Sequence, residues 1–185
     1  NIQFGLMVGI AGGVPNLPEI DIRLGDVVVS KPGLHNGGVI QYDFGKLNND
    51  DVFEQTGWLD APPTVLRTAI GTLEARRARW GNEFLQYLSV FENKEDSRFA
   101  NPGPENDQLY EVIDDGKLVV RPDRHESPVV HYGTIASGNS LIKNGRQRDK
   151  LREKHGILCF EMEAAGLMNN FPCAVIRGIC DYADS

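Results

Sequence analysis

The 185 residues are enough for one ordinary domain with a real core, and 41% hydrophobic against 24% charged side chains is the balance of a folded globular chain. A formal net charge of −7 argues against a dedicated nucleic-acid or anionic-membrane surface, and no apolar run approaches the roughly 20 residues that span a bilayer. Three cysteines (Cys159, Cys173, Cys180) without CxxC spacing and four scattered histidines (His35, His125, His131, His155) give no metal-ligand pattern, so reduced thiols, a cytoplasmic setting and no metal are expected.

In chain order, Phe4 to Ile10 is a short apolar run that predicts a buried strand, after which Ala11-Gly12-Gly13-Val14-Pro15 turns the chain. Val27 to Ser30 is a β-branched strand, and Val39 to Phe44 alternates as a half-exposed one. From Pro62 to about Tyr87 the spacing of Val65, Leu66, Ala69, Ile70 and Leu73 predicts a helix, capped at Thr64 or just before it. Arg76, Arg77 and Arg79 then read as cations favoured near its C-terminus.

Residues 93–128 are rich in Asn, Asp, Glu, Pro and Gly and read as an insertion or hairpin excursion. Within it, Leu109 to Ile113 and Lys117 to Val120 pair around Asp114-Asp115-Gly116. His131 to Gly138 is a strand entering a small-residue turn, and Asn144 to Lys154 a charged helix. Leu158-Cys159-Phe160 is a brief strand, Glu161 to Met168 a helix closed by Asn169-Asn170, and Cys173 to Cys180 the last strand, with Asp181 at its carboxyl end. This alternation predicts one α/β domain with a mixed, largely parallel central sheet flanked by helices, binding its ligand where strands end. Strand patterns standing at both abrupt ends predict an incomplete domain.

Chemistry is concentrated late in the chain. Glu161 and Glu163 flank Met162 where a strand meets a helix, and Asp181 closes an apolar strand. On residue type alone they are early-helix acids and a helix N-cap.

Four motifs in order add a second reading. Gly9-Ile10-Ala11-Gly12-Gly13 followed by Leu24-Gly25-Asp26-Val27-Val28, then Ala136-Ser137-Gly138-Asn139, Phe160-Glu161-Met162-Glu163-Ala164-Ala165, and Val175 to Asp184 span nearly the whole chain. Together they resemble the nucleoside phosphorylase and nucleosidase superfamily, most of all nucleosidase-like domains of fungal multidomain proteins.

The resemblance implies cleavage of a purine N-glycosidic bond. Asp181 is then the general acid toward the base, holding a proton through burial or a like-charged neighbour. Glu163 holds the ribose hydroxyls, Met162 packs on the sugar and Glu161 assists electrostatically. Leu141, Ile142 and Cys180 lie at the base, and Ala11, Gly12 and Gly13 form the glycine loop near phosphate or water. No cofactor is implied, phosphate being a co-substrate in a phosphorylase. The ligand is a purine nucleoside or nucleotide: methylthioadenosine, adenosine or an adenine nucleotide. The resemblance further implies a homo-oligomer and fusion to NACHT, ankyrin or TPR modules.

Ile10 departs from the pattern, standing where many relatives carry a hydroxyl that holds phosphate or water. The first βα unit, where nucleosidases keep a water-activating glutamate, and the C-terminal helix are not in this sequence. The rival reading is a non-catalytic nucleoside- or nucleotide-binding sensor module. The lack of GxGxxG and the presence of Pro15 argue against a dinucleotide-binding loop, and the lack of GxSxG against a serine hydrolase.

Overall fold

A computed structural model of the chain describes residues 2–50, 52–88, 103–112, 116–125 and 128–184. The strands are β1 (Gly5–Gly13), β2 (Val27–Ser30), β3 (Val39–Gln41), β4 (Gly45–Leu47), β5 (Phe53–Gln55), β6 (Val130–Ser137), β7 (Ile157–Glu161) and β8 (Cys173–Asp181). The helices are α1 (Thr64–Trp80) and α2 (Gly145–His155). The main sheet runs β2-β8-β1-β7-β6-β3, and β2 also pairs with β6, so five strands close into a ring from which β3 hangs. Pairing is parallel in β1–β8, β2–β6, β3–β6 and β6–β7, and antiparallel in β1–β7 and β2–β8. The mixed, largely parallel sheet is as expected. Its closure was not, and it leaves β3 as the edge.

Strand alternation sorts the side chains into an inside and an outside. Val28, Val175, Ile179, Ala11, Cys159 and Ile135 come from all five ring strands and share one core cluster. Ile40, Ala136, Ile157 and Phe160 belong to a second cluster, against which Leu151 of α2 packs. Of the five apolar residues expected to form the buried face of α1, Leu66 and Ile70 are buried, against Ala174, Val29 and Tyr132. Burying two such side chains contributes about 1.5–3 kcal/mol each. α2 is delimited by local chemistry. Asn144 accepts the N–H of Gln147 at 3.0 Å, and Gly156 takes the left-handed turn that ends the helix.

Four boundaries correct the sequence reading. β1 runs on through Ala11, Gly12 and Gly13, so these residues are strand and not turn. β3 stops at Gln41, and the chain then makes a separate hairpin, β4 with β5. α1 begins after Pro63, with no side-chain cap, and ends at Trp80; a 3-10 turn over Glu83–Tyr87 follows. The helix expected over Glu161 to Met168 is only a 3-10 turn, Ala164–Gly166; Glu161 closes β7, and its carboxylate accepts the N–H groups of Glu163 and Ala164 at the start of that turn.

Within the excursion, Tyr110 and Leu118 form an antiparallel bridge, while residues 113–115 of the expected hairpin lie outside the described residues. Asp26, 0% exposed, ties this segment to the ring. Its carboxylate accepts from Arg124 Nη1 at 2.8 Å to both oxygens, from the Val129 N–H at 2.8 Å and from the Arg23 N–H at 2.9 Å, and His131 Nε2 lies 2.8 Å away. Burial acts to raise this carboxyl, but hydrogen bonds from His131, Arg124, Val129 and Arg23 outweigh it and hold it below the ordinary 3.8.

Candidate active site

Backbone register brings three distant motifs to one rim. Gly12 of β1 pairs with Asp181 of β8 on one side and with Phe160 of β7 on the other. Beyond Phe160, Glu161 pairs with Ser137 at the end of β6, which pairs in turn with Gln41 of β3. A register shift aims Asp181: Ala11 faces Ile179, whereas Gly12 faces Asp181, so Cys180 is an extra residue in β8. Strict alternation would put Cys180 and Asp181 on opposite faces, yet both are exposed.

Asp181 Oδ1 accepts the Ala183 N–H at 2.8 Å, and Oδ2 accepts the Cys180 thiol at 3.3 Å. Desolvation of the sulfur, and then the hydrogen bond and charge of Asp181, push that thiol up to about 11. Gly12 is glycine for reasons of space: a Cβ there would stand 2.7 Å from Asp181 Oδ1 and 3.0 Å from the Ala183 Cβ. The burial expected around Asp181 is absent, since this residue faces solvent.

The two glutamates separate into different roles. Glu161 is buried, accepts the N–H groups of Glu163 at 3.2 Å and Ala164 at 3.0 Å, and pairs with the Arg177 guanidinium. It holds the turn together. Glu163 has a side chain 59% exposed and meets Arg177 Nη2 through Oε2 at 3.0 Å. Arg177 therefore bridges a buried and a solvent-facing carboxylate. Its guanidinium lies over Gly9, where any Cβ would collide with it. Ser137 Oγ fixes the far side of the turn by accepting the Ala165 N–H at 2.9 Å.

Of the other expected residues, Met162 is half-exposed beside Glu163, and Leu141 is exposed after the Ser-Gly-Asn turn. Ile142 is 5% exposed and belongs to the core cluster of Val14, Tyr42, Phe160 and Ala183. Ile10, 69% exposed, points outward from β1 together with Leu6 and Val8. A cavity of about 630 Å³, lined by Gln41, Phe44, Trp58, Thr134 and Ala165 among others, lies on the β3 side of this rim and includes neither Glu163 nor Asp181. Arg177 escaped the sequence reading. Its signal was a charge inside the apolar run of β8, which a buried strand carries only with a partner.

No protein-family model matches the chain. A nucleotide-binding leucine-rich repeat (NLR)-like protein of Hyaloscypha variabilis is 48% identical over 195 residues, which take in 100% of this chain and 19% of that protein. Among solved structures, the 5'-methylthioadenosine/S-adenosylhomocysteine nucleosidase of Neisseria meningitidis, in complex with methylthio-immucillin-A, aligns with a TM-score of 0.54 at 19% identity, over 98% of this chain and 58% of its own. The corresponding nucleosidase of Helicobacter pylori, complexed with a substituted pyrrolidin-3-ol, gives 0.55 at 16% identity, over 99% and 57%. The fold is that of the methylthioadenosine/S-adenosylhomocysteine nucleosidases. A futalosine hydrolase of Helicobacter pylori shares it, at a TM-score of 0.53 and 17% identity, over 99% of this chain and 57% of that one. The chain thus spans less than two thirds of these nucleosidase-fold proteins and a minor part of the NLR-like relative.

Proposed function

We propose that this rim belongs to a purine N-glycosidase, with Asp181 as general acid to the base and Glu163 as acceptor for the ribose hydroxyls. The observation that carries the reading is the convergence, by strand register, of Gly12, Asp181 and the Glu161–Glu163 turn. Breaking the C1′–N9 bond builds positive charge on the sugar and negative charge on the purine. A carboxylic acid at N7 relieves the second, and its other oxygen accepts from a 6-amino group, which favours adenine nucleosides. Glu163 is held at one oxygen by Arg177 and faces solvent, as a group must that accepts from two adjacent hydroxyls. Leu141 and Met162 supply apolar cover, and the nucleosidase fold favours water over phosphate as the attacking group.

A second reading, a nucleoside or nucleotide sensor, is favoured by one feature: the hydrocarbon of Ile10 stands where a hydroxyl would hold the nucleophile. The test is release of free base from methylthioadenosine, adenosine and adenine nucleotides by the full-length protein, with and without phosphate. Phosphate-independent release supports the glycosidase. Binding of the same compounds without base release supports the sensor.

A further inference from the structure

The residue after Asp181 is held more tightly than Asp181 itself. The Tyr182 ring is buried, and its hydroxyl donates to the Asp107 carboxylate and accepts from Arg121 Nη1 at 2.9 Å. The Arg121 guanidinium carbon stands 5.4 Å from the ring centroid, and Nη2 reaches the Asp107 carboxylate at 2.8 Å and its carbonyl at 2.7 Å. Arg121 is anchored to the body by the Ile22 carbonyl at 3.3 Å and Asp21 at 3.4 Å, and Asp107 by the Leu24 N–H at 3.2 Å. The backbone is fixed as well. The buried Arg148 donates to the Tyr182 carbonyl at 2.9 Å, and the Asn144 N–H to the Ala183 carbonyl at 3.1 Å. Ala183 stands at φ 51, a conformation that a residue with a Cβ keeps only when its surroundings impose it. That turn aims the Ala183 N–H at the Asp181 carboxylate.

We propose that Arg121 and Asp107, both on the excursion, are positioning residues for Asp181, acting through Tyr182. The proposal rests on the reading of Asp181 as the general acid. The Asp181 carboxylate, exposed at the rim, takes its backbone donor from the Ala183 N–H, so its aim depends on how the residues after it are held. The excursion, remote in sequence from β8, supplies that constraint with an aspartate, an arginine fork and a phenol that form a closed set of contacts. Arginine suits the task because its rigid fork serves several acceptors at once, which lysine does not.

The experiment uses Tyr182→Phe, which keeps the buried ring and removes the hydroxyl, together with Arg121→Met and Arg121→Lys. Three readouts are taken on each: thermal midpoint, amide hydrogen exchange at Ala183, and kcat and KM for base release from the best substrate of the wild type. Tyr182→Phe is expected to lose Ala183 protection and to lower kcat about tenfold to a hundredfold with KM nearly unchanged, the range for a misplaced catalytic group. Arg121→Lys is expected to recover part of what Arg121→Met loses. A lowered midpoint with unchanged Ala183 protection and unchanged kcat overturns the positioning role and leaves the glycosidase reading standing. Absence of base release by the wild type overturns that reading and the proposal with it.

Discussion

Two regions of the molecule use the same residue types in opposite ways. Around Asp26 a carboxylate is wholly withdrawn from water, and Arg124, His131 and two backbone N–H groups converge on its oxygens. At the rim, Asp181 and Glu163 face solvent, the first with a backbone N–H and a thiol as donors, the second with one ion pair to Arg177. A saturated buried carboxylate contributes stability and has no capacity left for a ligand. A carboxylate aimed by its neighbours yet open to solvent has the reverse properties. Glu161 and Glu163 draw the same line within three residues, since one arginine meets both and only one keeps an open face.

The largest effect expected from breaking the contrast is on the buried side. Asp26→Ala leaves Arg124, His131 and two N–H groups without their acceptor and should cost about 3–5 kcal/mol in denaturant unfolding. Because the folded carboxyl is held below 3.8, its stabilisation is present above that value and is lost as pH falls through the folded value. Acid unfolding curves of Asp26→Asn should therefore be flatter than those of the wild type below about pH 4. Gly12→Ala pushes a methyl against Asp181 Oδ1 and Ala183, and a melt should show a loss of about 1–3 kcal/mol, as for other overpacked sites. On the open side, Glu163→Ala should weaken adenosine binding about tenfold or more while sparing adenine, as calorimetry can show. Equal losses for the two would make Glu163 structural. The smallest effect expected is that of Asn144→Ala, about 1 kcal/mol of stability from a lost helix cap.

Most of the fold was legible because its signals are local. The apolar runs of β1 and β8 and the charged run of α2 announce themselves by composition and spacing. Ring closure was not legible, since the β2–β6 pairing joins strands about a hundred residues apart and leaves no local trace. The helix expected after Glu161 is shorter than its pattern: the spacing of Met162, Ala165 and Met168 is helical, but only Ala164–Gly166 turns. Gly12 and Gly13 were read as turn formers, whereas Gly12 lies in a strand and is small because the Asp181 side chain lies over it. At the site, residue types alone left Asp181 and Glu163 as helix-end acids, and it was the family resemblance that made them candidates. Only three-dimensional contact separated Glu161 and Ile142, which are buried, from their solvent-facing neighbours.

The most direct test of the central claim, that the open rim carboxylate performs chemistry while the buried one performs none, is a paired measurement on Asp181→Asn. Turnover in base release and the thermal midpoint are recorded on the same preparation of full-length protein. The account predicts a loss of turnover of about two to four orders of magnitude, the range for a missing general acid, with the midpoint nearly unchanged. Wild-type turnover in the variant, or a collapsed midpoint, would contradict it.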